Sequence, residues 1–334
     1  MLPSIAVVIL GLSAISALPH DPIMRKLEPG LRYQYVLDGN GVPHLTDLWG
    51  TAGDLANAAR YNPATDNVYH LFTRSNPSVS QPMVLGNKAL LNNNFDPSKL
   101  TVILIHGWIV DITGILGTNM IPALLAAADV NVIAVDWFAG AGGINYFTAV
   151  SNTEPSGISV ANFITWFNSE TGASLNNYFF IGHSLGGHQV GIVGRNLGGQ
   201  VPYILSIDPA SPGWNFKPER FQKTDGIYTE VIHSNAGLMG YLVPLGDVDI
   251  YPNGGIDMPG CPTPMCSHDQ AVFYIAESMR TGGFTSRECS NYLAAIRDNC
   301  NLPGSLKMGG LLPKTGISGV YRVDTNAFSP FSMG

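Results

Sequence analysis

Tyr178-Phe179-Phe180-Ile181-Gly182-His183-Ser184-Leu185-Gly186 is the stretch from which the rest of the chain can be read. Its first four residues are aromatic or β-branched, as in a buried strand. Its last five have the form G-x-S-x-G, in which a serine sits on a sharp turn between a strand and a helix. The residues from Gly187 to Leu197 are compatible with that helix. So tight a turn leaves no room for Cβ atoms on either side, which gives glycine at 182 and 186 a steric reason. The turn presents the Ser184 hydroxyl at the carboxyl end of its strand, and the Leu185 N–H can meet a developing oxyanion. With 38 glycines in 334 residues the pattern can also arise by chance, so the partners of Ser184 decide its meaning.

A serine hydroxyl is a weak nucleophile until a base takes its proton, and the base needs a third group to orient it. On a strand–turn–helix scaffold the chain order is serine, acid, histidine. Tyr203-Ile204-Leu205-Ser206-Ile207-Asp208-Pro209 is an apolar run ending in an acid, which places Asp208 at the carboxyl end of the next strand. Two histidines follow. His233 ends the strand-like Glu230-Val231-Ile232 and reads as a hydrogen-bonded structural residue. His268 stands in Cys266-Ser267-His268-Asp269-Gln270, read as a loop entering a helix over Ala271-Met279, and is the better base. Asp269 is a rival orienter, but sequence neighbours rarely face each other, and an acid at a helix start has its own electrostatic role. Asp136 also ends a strand, yet it precedes the serine and is read as a structural or rim residue. The strongly apolar Thr101-Val102-Ile103-Leu104-Ile105 runs into His106-Gly107-Trp108, where the second oxyanion donor is expected. Trp108 would give its backbone N–H and line an acyl pocket with its indole; its plainer reading is a core aromatic, and that of His106 a loop-shaping hydrogen bond.

Taken in order, Val102-Ile103-Leu104-Ile105-His106-Gly107-Trp108, Val135-Asp136-Trp137, Phe180-Ile181-Gly182-His183-Ser184-Leu185-Gly186-Gly187-His188, Ser206-Ile207-Asp208-Pro209-Ala210, Val231-Ile232-His233, Tyr251-Pro252-Asn253-Gly254-Gly255, Cys266-Ser267-His268 and Tyr274-Ile275-Ala276-Glu277-Ser278 resemble the pancreatic lipase family of secreted α/β-hydrolases. The resemblance covers roughly residues 100–280. It implies Ser184 as nucleophile, Asp208 as orienter, His268 as base, and Trp108 and Leu185 as oxyanion donors. It implies hydrolysis of lipid acyl esters at a lipid interface, with no cofactor. The family also contains yolk proteins that have lost the serine and only bind or store; this chain keeps it. A silent binder of that type and a galactolipid or small-ester hydrolase are the alternatives.

Four cysteines allow three pairings. Proximity and the family both favour Cys261 with Cys266 and Cys289 with Cys300; a zinc site is disfavoured because no C-x-x-C pair occurs. Relatives with a mobile lid carry a long segment between the first two of these cysteines. Here only Pro262-Thr263-Pro264-Met265 lies between them, and two prolines make it stiff. A short lid resembles the phospholipase A1 branch, venom forms included, and certain digestive lipases, and predicts weak interfacial activation. Some relatives hold calcium in the segment matching 219–225; Glu219 and Asp225 fit it incompletely, and no metal is expected. The chain is expected to lack the C-terminal β-sandwich that docks colipase, so no colipase dependence is expected.

Composition is consistent with that picture. Only 12% of residues are charged, which implies apolar exposed surface. The net charge of −7 leaves no broad basic field for nucleic acid or anionic surfaces. Residues 1–17 read as an export signal and are too short to be a transmembrane anchor, so a secreted, extracellular protein is expected. Residues 18–67 read as an N-terminal extension packing on the domain, with a short helix between Asp47 and Arg60, and 68–334 as the hydrolase domain. Strands are expected at 68–73, 101–106, 131–137, 178–183, 203–208 and 228–233, and helices at 115–128, 156–170, 186–197 and 268–279. Alternating strands and helices predict an α/β fold, a largely parallel sheet with helices on both faces. Gly140-Ala141-Gly142-Gly143 lacks the Lys and Ser/Thr of a phosphate loop and reads as a turn beside the active-site rim.

Overall fold

The computed structural model describes residues 60–334 throughout. Before them it describes Gly53, Ala58 and two antiparallel strands, β1 (Tyr33–Leu37) and β2 (Pro43–Asp47), with Tyr33 opposite Asp47. The expected export signal at 1–17 lies outside the described residues, as does the helix expected between Asp47 and Arg60 apart from Gly53 and Ala58. The β1–β2 pair falls in a stretch whose sequence shows no period. A one-turn helix, α1 (Pro63–Asp66), capped by the Asn62 side chain, leads into the main sheet.

Eleven strands form that sheet among the described residues. Its centre is parallel: β5 (Thr101–Ile105) lies between β6 (Asn131–Asp136) and β7 (Tyr178–His183), followed by β8 (Tyr203–Ile207), β9 (Thr229–Ile232) and β10 (Val248–Pro252). β3 (Val68–Phe72) and β4 (Gln81–Met83) close one edge antiparallel. At the other edge β13 (Gly319–Val323) runs parallel to β10, then β11 (Phe284–Cys289) and β12 (Ser305–Met308) reverse direction. This is the α/β-hydrolase arrangement. β10 to β13 were not expected from sequence. β11 alternates buried Phe284 and Ser286 with exposed Thr285 and Arg287 and then loses the alternation at Glu288 and Cys289, a short pattern too polar to stand out.

Alternation along the strands splits the core in two. Val102 and Leu104 pack on one face with Met120 and Leu124 of α2 (Ile115–Ala127) and with Val272 and Ile275 of α6 (Pro264–Thr281). Ile103 and Ile105 point to the other face, against Phe163 and Phe167 of α4 (Tyr146–Thr171) and Val190 and Val193 of α5 (Leu185–Asn196). Between β6 and α4 stands the short α3 (Phe138–Ala141), which takes up part of the glycine-rich turn at 140–143. α4 extends the expected 156–170 helix back through Pro155. Pro155 removes one backbone donor, but Asn145 caps the helix by accepting from the N–H groups of Phe147 and Thr148, and Tyr146, Ala149 and Val150 supply an apolar face before the proline.

From β5 the chain crosses to β6 on one side and returns to β7 on the other. The connections after β5 and β7 therefore diverge, leaving a crevice at their carboxyl ends, where open parallel sheets place ligands. His106-Gly107-Trp108 follows β5 and Ser184 follows β7.

Candidate active site

Ser184 sits at φ 58°, ψ −119°, a backbone region that a residue with a side chain rarely enters. Three features hold it there. Its N–H donates to the Ile207 carbonyl at 3.1 Å, and its carbonyl accepts from Ala210 N–H at 3.2 Å and Gly187 N–H at 3.0 Å. A Cβ at Gly182 would run into the Gly186 carbonyl, and one at Gly186 into the Ile105 carbonyl. Gly107 backs directly onto the serine, since a Cβ there would stand 2.9 Å from Ser184 Cβ and 3.4 Å from its Oγ.

Leu185 is the first residue of α5, so its N–H has no intrahelical acceptor and lies at the positive end of the helix dipole. Trp108 is buried; its indole donates to the Gly143 carbonyl at 2.7 Å and meets Tyr146 edge-on at 5.1 Å. His106 shapes the turn. Its Nε2 accepts from Trp137 N–H at 3.2 Å, which leaves Nδ1–H to donate to the Gly107 carbonyl at 2.9 Å. The Trp137 indole donates to the His106 carbonyl at 2.9 Å. The peptide between Gly107 and Trp108 is thereby oriented.

Asp208 leaves β8 at φ 40° and is fully buried. Its Oδ1 accepts from the N–H groups of Ser234 at 2.8 Å and Asn235 at 3.1 Å, and its Oδ2 accepts from His268 Nδ1–H at 2.5 Å. A side chain at Gly240 would collide with this carboxylate. His268 does not lie in a loop, as its neighbours implied, but in the second turn of α6, which begins at Pro264. Proline suits a first helical turn, and the Thr263 hydroxyl caps it by accepting from Cys266 N–H at 3.2 Å. The Cys261–Cys266 disulfide and a bond from Met258 N–H to Ser267 Oγ at 3.0 Å fasten the same turn; Cys289–Cys300 is the second bridge.

Burial opposes a charged imidazolium at His268, but the hydrogen bond and charge of Asp208, with a smaller contribution from Asp269, outweigh it and raise its pKa above the ordinary 6.5. Its own neighbour Asp269 is pushed up to about 6 by burial. Asp136 instead faces His106, 3.6 Å from Nε2, and accepts from Phe138 N–H. His233 is buried between the Tyr241 carbonyl and Asp249, and stacks on Tyr251 at 4.3 Å. In the segment 219–225, Asp225 is held by Arg195 at 2.9 Å. Asp208 thus orients a buried imidazole, and a 3.2 Å contact from His183 Nε2 to the His268 carbonyl ties that imidazole's residue to the strand end that carries Ser184.

The sequence matches the Lipase family over residues 46–310. The chain belongs to that family. Curated relatives of this lipase-family chain include Lipase member H of Oryctolagus cuniculus, 33% identical over 261 residues, covering 70% of this chain and 54% of the relative. Phospholipase A1 member A of Homo sapiens is 36% identical over 247 residues, covering 69% and 52%. Lipase member H of Danio rerio is 32% identical over 269 residues, covering 76% and 58%. The chain spans about half the length of the curated relatives it matches.

Several groups at this lipase-family site escape sequence reasoning. Ser234 and Asn235 serve Asp208 through backbone N–H groups, which their side chains do not advertise. His188 is buried against Trp214 at 4.0 Å and pushed down to about 3 by burial. It donates to the Ala210 carbonyl at 2.7 Å and accepts from Phe221 N–H, tying the loop after Asp208 to α5. Its position one turn beyond the elbow was the available signal. Among the described residues no helix is long and apolar enough to cross a membrane.

Proposed function

We propose that the chain is a serine carboxylic ester hydrolase acting on lipid acyl esters, the sn-1 ester of phospholipids or triacylglycerol, through an acyl-enzyme. The observation that carries this reading is the 2.5 Å contact between Asp208 and His268, whose carbonyl is met by His183, the residue before a serine held at φ 58°. Ser184 attacks the ester carbonyl as His268 takes its proton. Asp208 fixes the imidazole tautomer and stabilises the imidazolium. The N–H groups of Leu185 and Trp108 receive the oxyanion, each worth on the order of 10²–10³ in rate. His268 then protonates the leaving alcohol, and water repeats the sequence on the acyl-enzyme.

The names of the relatives support a lipid substrate, and so does the rim. Phe216 is 98% exposed on the loop after Asp208, next to Asn215, whose carbonyl meets Tyr241. Ile144 is exposed beside Gly143, the partner of Trp108, Phe138 is exposed at the start of α3, and Val243 is exposed on a loop. Such a collar suits an enzyme that works against a lipid surface. Phe216→Asp is expected to weaken binding to phosphatidylcholine vesicles several-fold and to leave hydrolysis of a soluble short-chain ester unchanged. Equal loss on both substrates would remove the collar from the argument. Two disulfides fit an exported protein.

The deciding experiment is paired hydrolysis of phosphatidylcholine, labelled separately at sn-1 and sn-2, and long-chain triacylglycerol. The four-residue Cys261–Cys266 loop favours release of the sn-1 chain; preference for triacylglycerol would assign a lipase whose headgroup choice is not set by lid length. Catalysis needs neutral His268. Because its pKa is raised, activity should fall with acidification through a limb centred above 6.5, read from kcat/KM against pH. A limb well below 6.5 would contradict the role given to Asp208.

A further inference from the structure

His183, the residue immediately before Ser184, has no place in the proton path just described, yet it touches the base. It ends β7, paired in register with Ile207, and is buried. Its Nε2 lies 3.2 Å from the backbone carbonyl of His268, and the two rings stand 4.6 Å apart, tilted by 39°. A carbonyl accepts, so Nε2 carries the proton and donates. The Ser234 hydroxyl approaches the same carbonyl at 3.4 Å. The second turn of α6 is therefore pinned to the ends of β7 and β9, not only packed against them. At 3.2 Å the His183 contact is the shorter of these two side-chain contacts on this oxygen.

We propose, on the reading that Ser184 and His268 act as nucleophile and base, that His183 is a positioning residue that locks the base to the nucleophile elbow through its hydrogen bond to the His268 carbonyl. One rigid strand end then sets both reacting groups. Ser184 follows His183 by one peptide bond, and His268 hangs from its imidazole, so a displacement of either is shared. Proton transfer from serine to imidazole is steeply sensitive to such misplacement.

The charged and titratable groups around His268 fit this role. Asp208 faces it from the end of β8, Asp269 from its own helix, and His183 from β7; Asp269 Oδ1 is 3.9 Å from His183 Nε2. Burial, reinforced by the charge of His268, keeps His183 well below the ordinary imidazole range, so it stays neutral when His268 is protonated during turnover. A permanently charged donor in its place, such as lysine, would oppose the imidazolium.

The test compares His183→Gln, whose amide nitrogen can reach the position of Nε2, with His183→Asn, which is one bond shorter, and His183→Phe, which keeps a ring without a donor. The expected result is a kcat lowered tenfold or more in the Asn and Phe variants, KM on a soluble ester changed less than twofold, and largely restored kcat in the Gln variant. The rate of labelling by a fluorophosphonate should follow the same order, with the strongly deshielded Nδ1 proton of the His268–Asp208 pair sharp in wild type and Gln and broadened in Asn. If Phe does not fold, the Gln and Asn pair decides. Wild-type kcat in the Asn variant, or equal losses in folded Gln and Asn variants, would overturn the positioning role. Failure of the wild-type protein to label at all would instead overturn the enzymatic reading on which it rests.

Discussion

Ser184→Ala is expected to abolish ester hydrolysis, with a loss on the order of 10⁶ in kcat and a residue of turnover from the oxyanion donors alone. The fold should be retained, because the elbow is held by backbone groups that alanine keeps: Ser184 N–H to Ile207, and Ala210 and Gly187 N–H to the Ser184 carbonyl. The test is release of labelled acyl chain from phosphatidylcholine, with circular dichroism to verify folding; a folded variant retaining more than about one part in 10³ of activity would remove Ser184 from the nucleophile role. Ser184→Gly carries a second expectation. At φ 58°, ψ −119° a side chain stores on the order of 1–3 kcal/mol of strain. Glycine relieves that strain but loses about 1 kcal/mol to the entropy of the unfolded chain. The glycine variant should therefore melt higher than the alanine variant while being equally inactive. A lower melting point would mean that the elbow is not strained.

Asp208→Asn should cost on the order of 10⁴ in kcat while leaving the geometry nearly intact. Two backbone N–H groups, from Ser234 and Asn235, and the imidazole N–H all point at this carboxylate. An amide can turn its oxygen toward the backbone pair or toward His268, but not both, so one side meets its NH₂ group. If the NH₂ faces His268, the imidazole flips tautomer and loses its basic nitrogen toward the serine. The sign of the accompanying pH effect is fixed. Asp208 contributes most to raising the His268 pKa against burial, so removing its charge lowers that pKa and moves the acidic limb of the residual activity to lower pH. Asp269→Asn, by contrast, should move the limb slightly in the same direction with only a few-fold loss, because Asp269 acts on His268 through charge without the hydrogen bond. Near-normal activity in Asp208→Asn, or a larger loss in Asp269→Asn, would reverse the assignment of the two carboxylates.

Much of this was legible because the signals are local. The G-x-S-x-G turn carries its own steric explanation, and Gly182 and Gly186 meet the carbonyls that demand them. The apolar runs ending at Ile105, His183 and Ile207 are central parallel strands buried on both faces, where hydrophobicity is continuous and hard to miss. The helix expected at 268–279 begins four residues earlier, at Pro264, because proline suits a first helical turn, and this puts His268 inside the helix and not at its entry. α4 was truncated because Pro155 reads as a stop until the burial of Tyr146, Ala149 and Val150 is known.

The sequence by itself determined the chemistry available: one serine on a strained turn, an acid and a histidine in the order this fold requires, a bridge too short to carry a flap, and alternating strands and helices that make a parallel sheet. These follow from sterics and periodicity within a few residues. Only the tertiary structure decided which groups meet. The polar edge formed by β11 to β13 depends on strand partners distant in sequence. The choice of Asp208 over Asp136 and Asp269 depends on where β8 and α6 cross. The service of Ser234, Asn235 and His183 to the acid and the base runs through backbone groups, which every residue carries alike and which acquire direction only when the chain is folded.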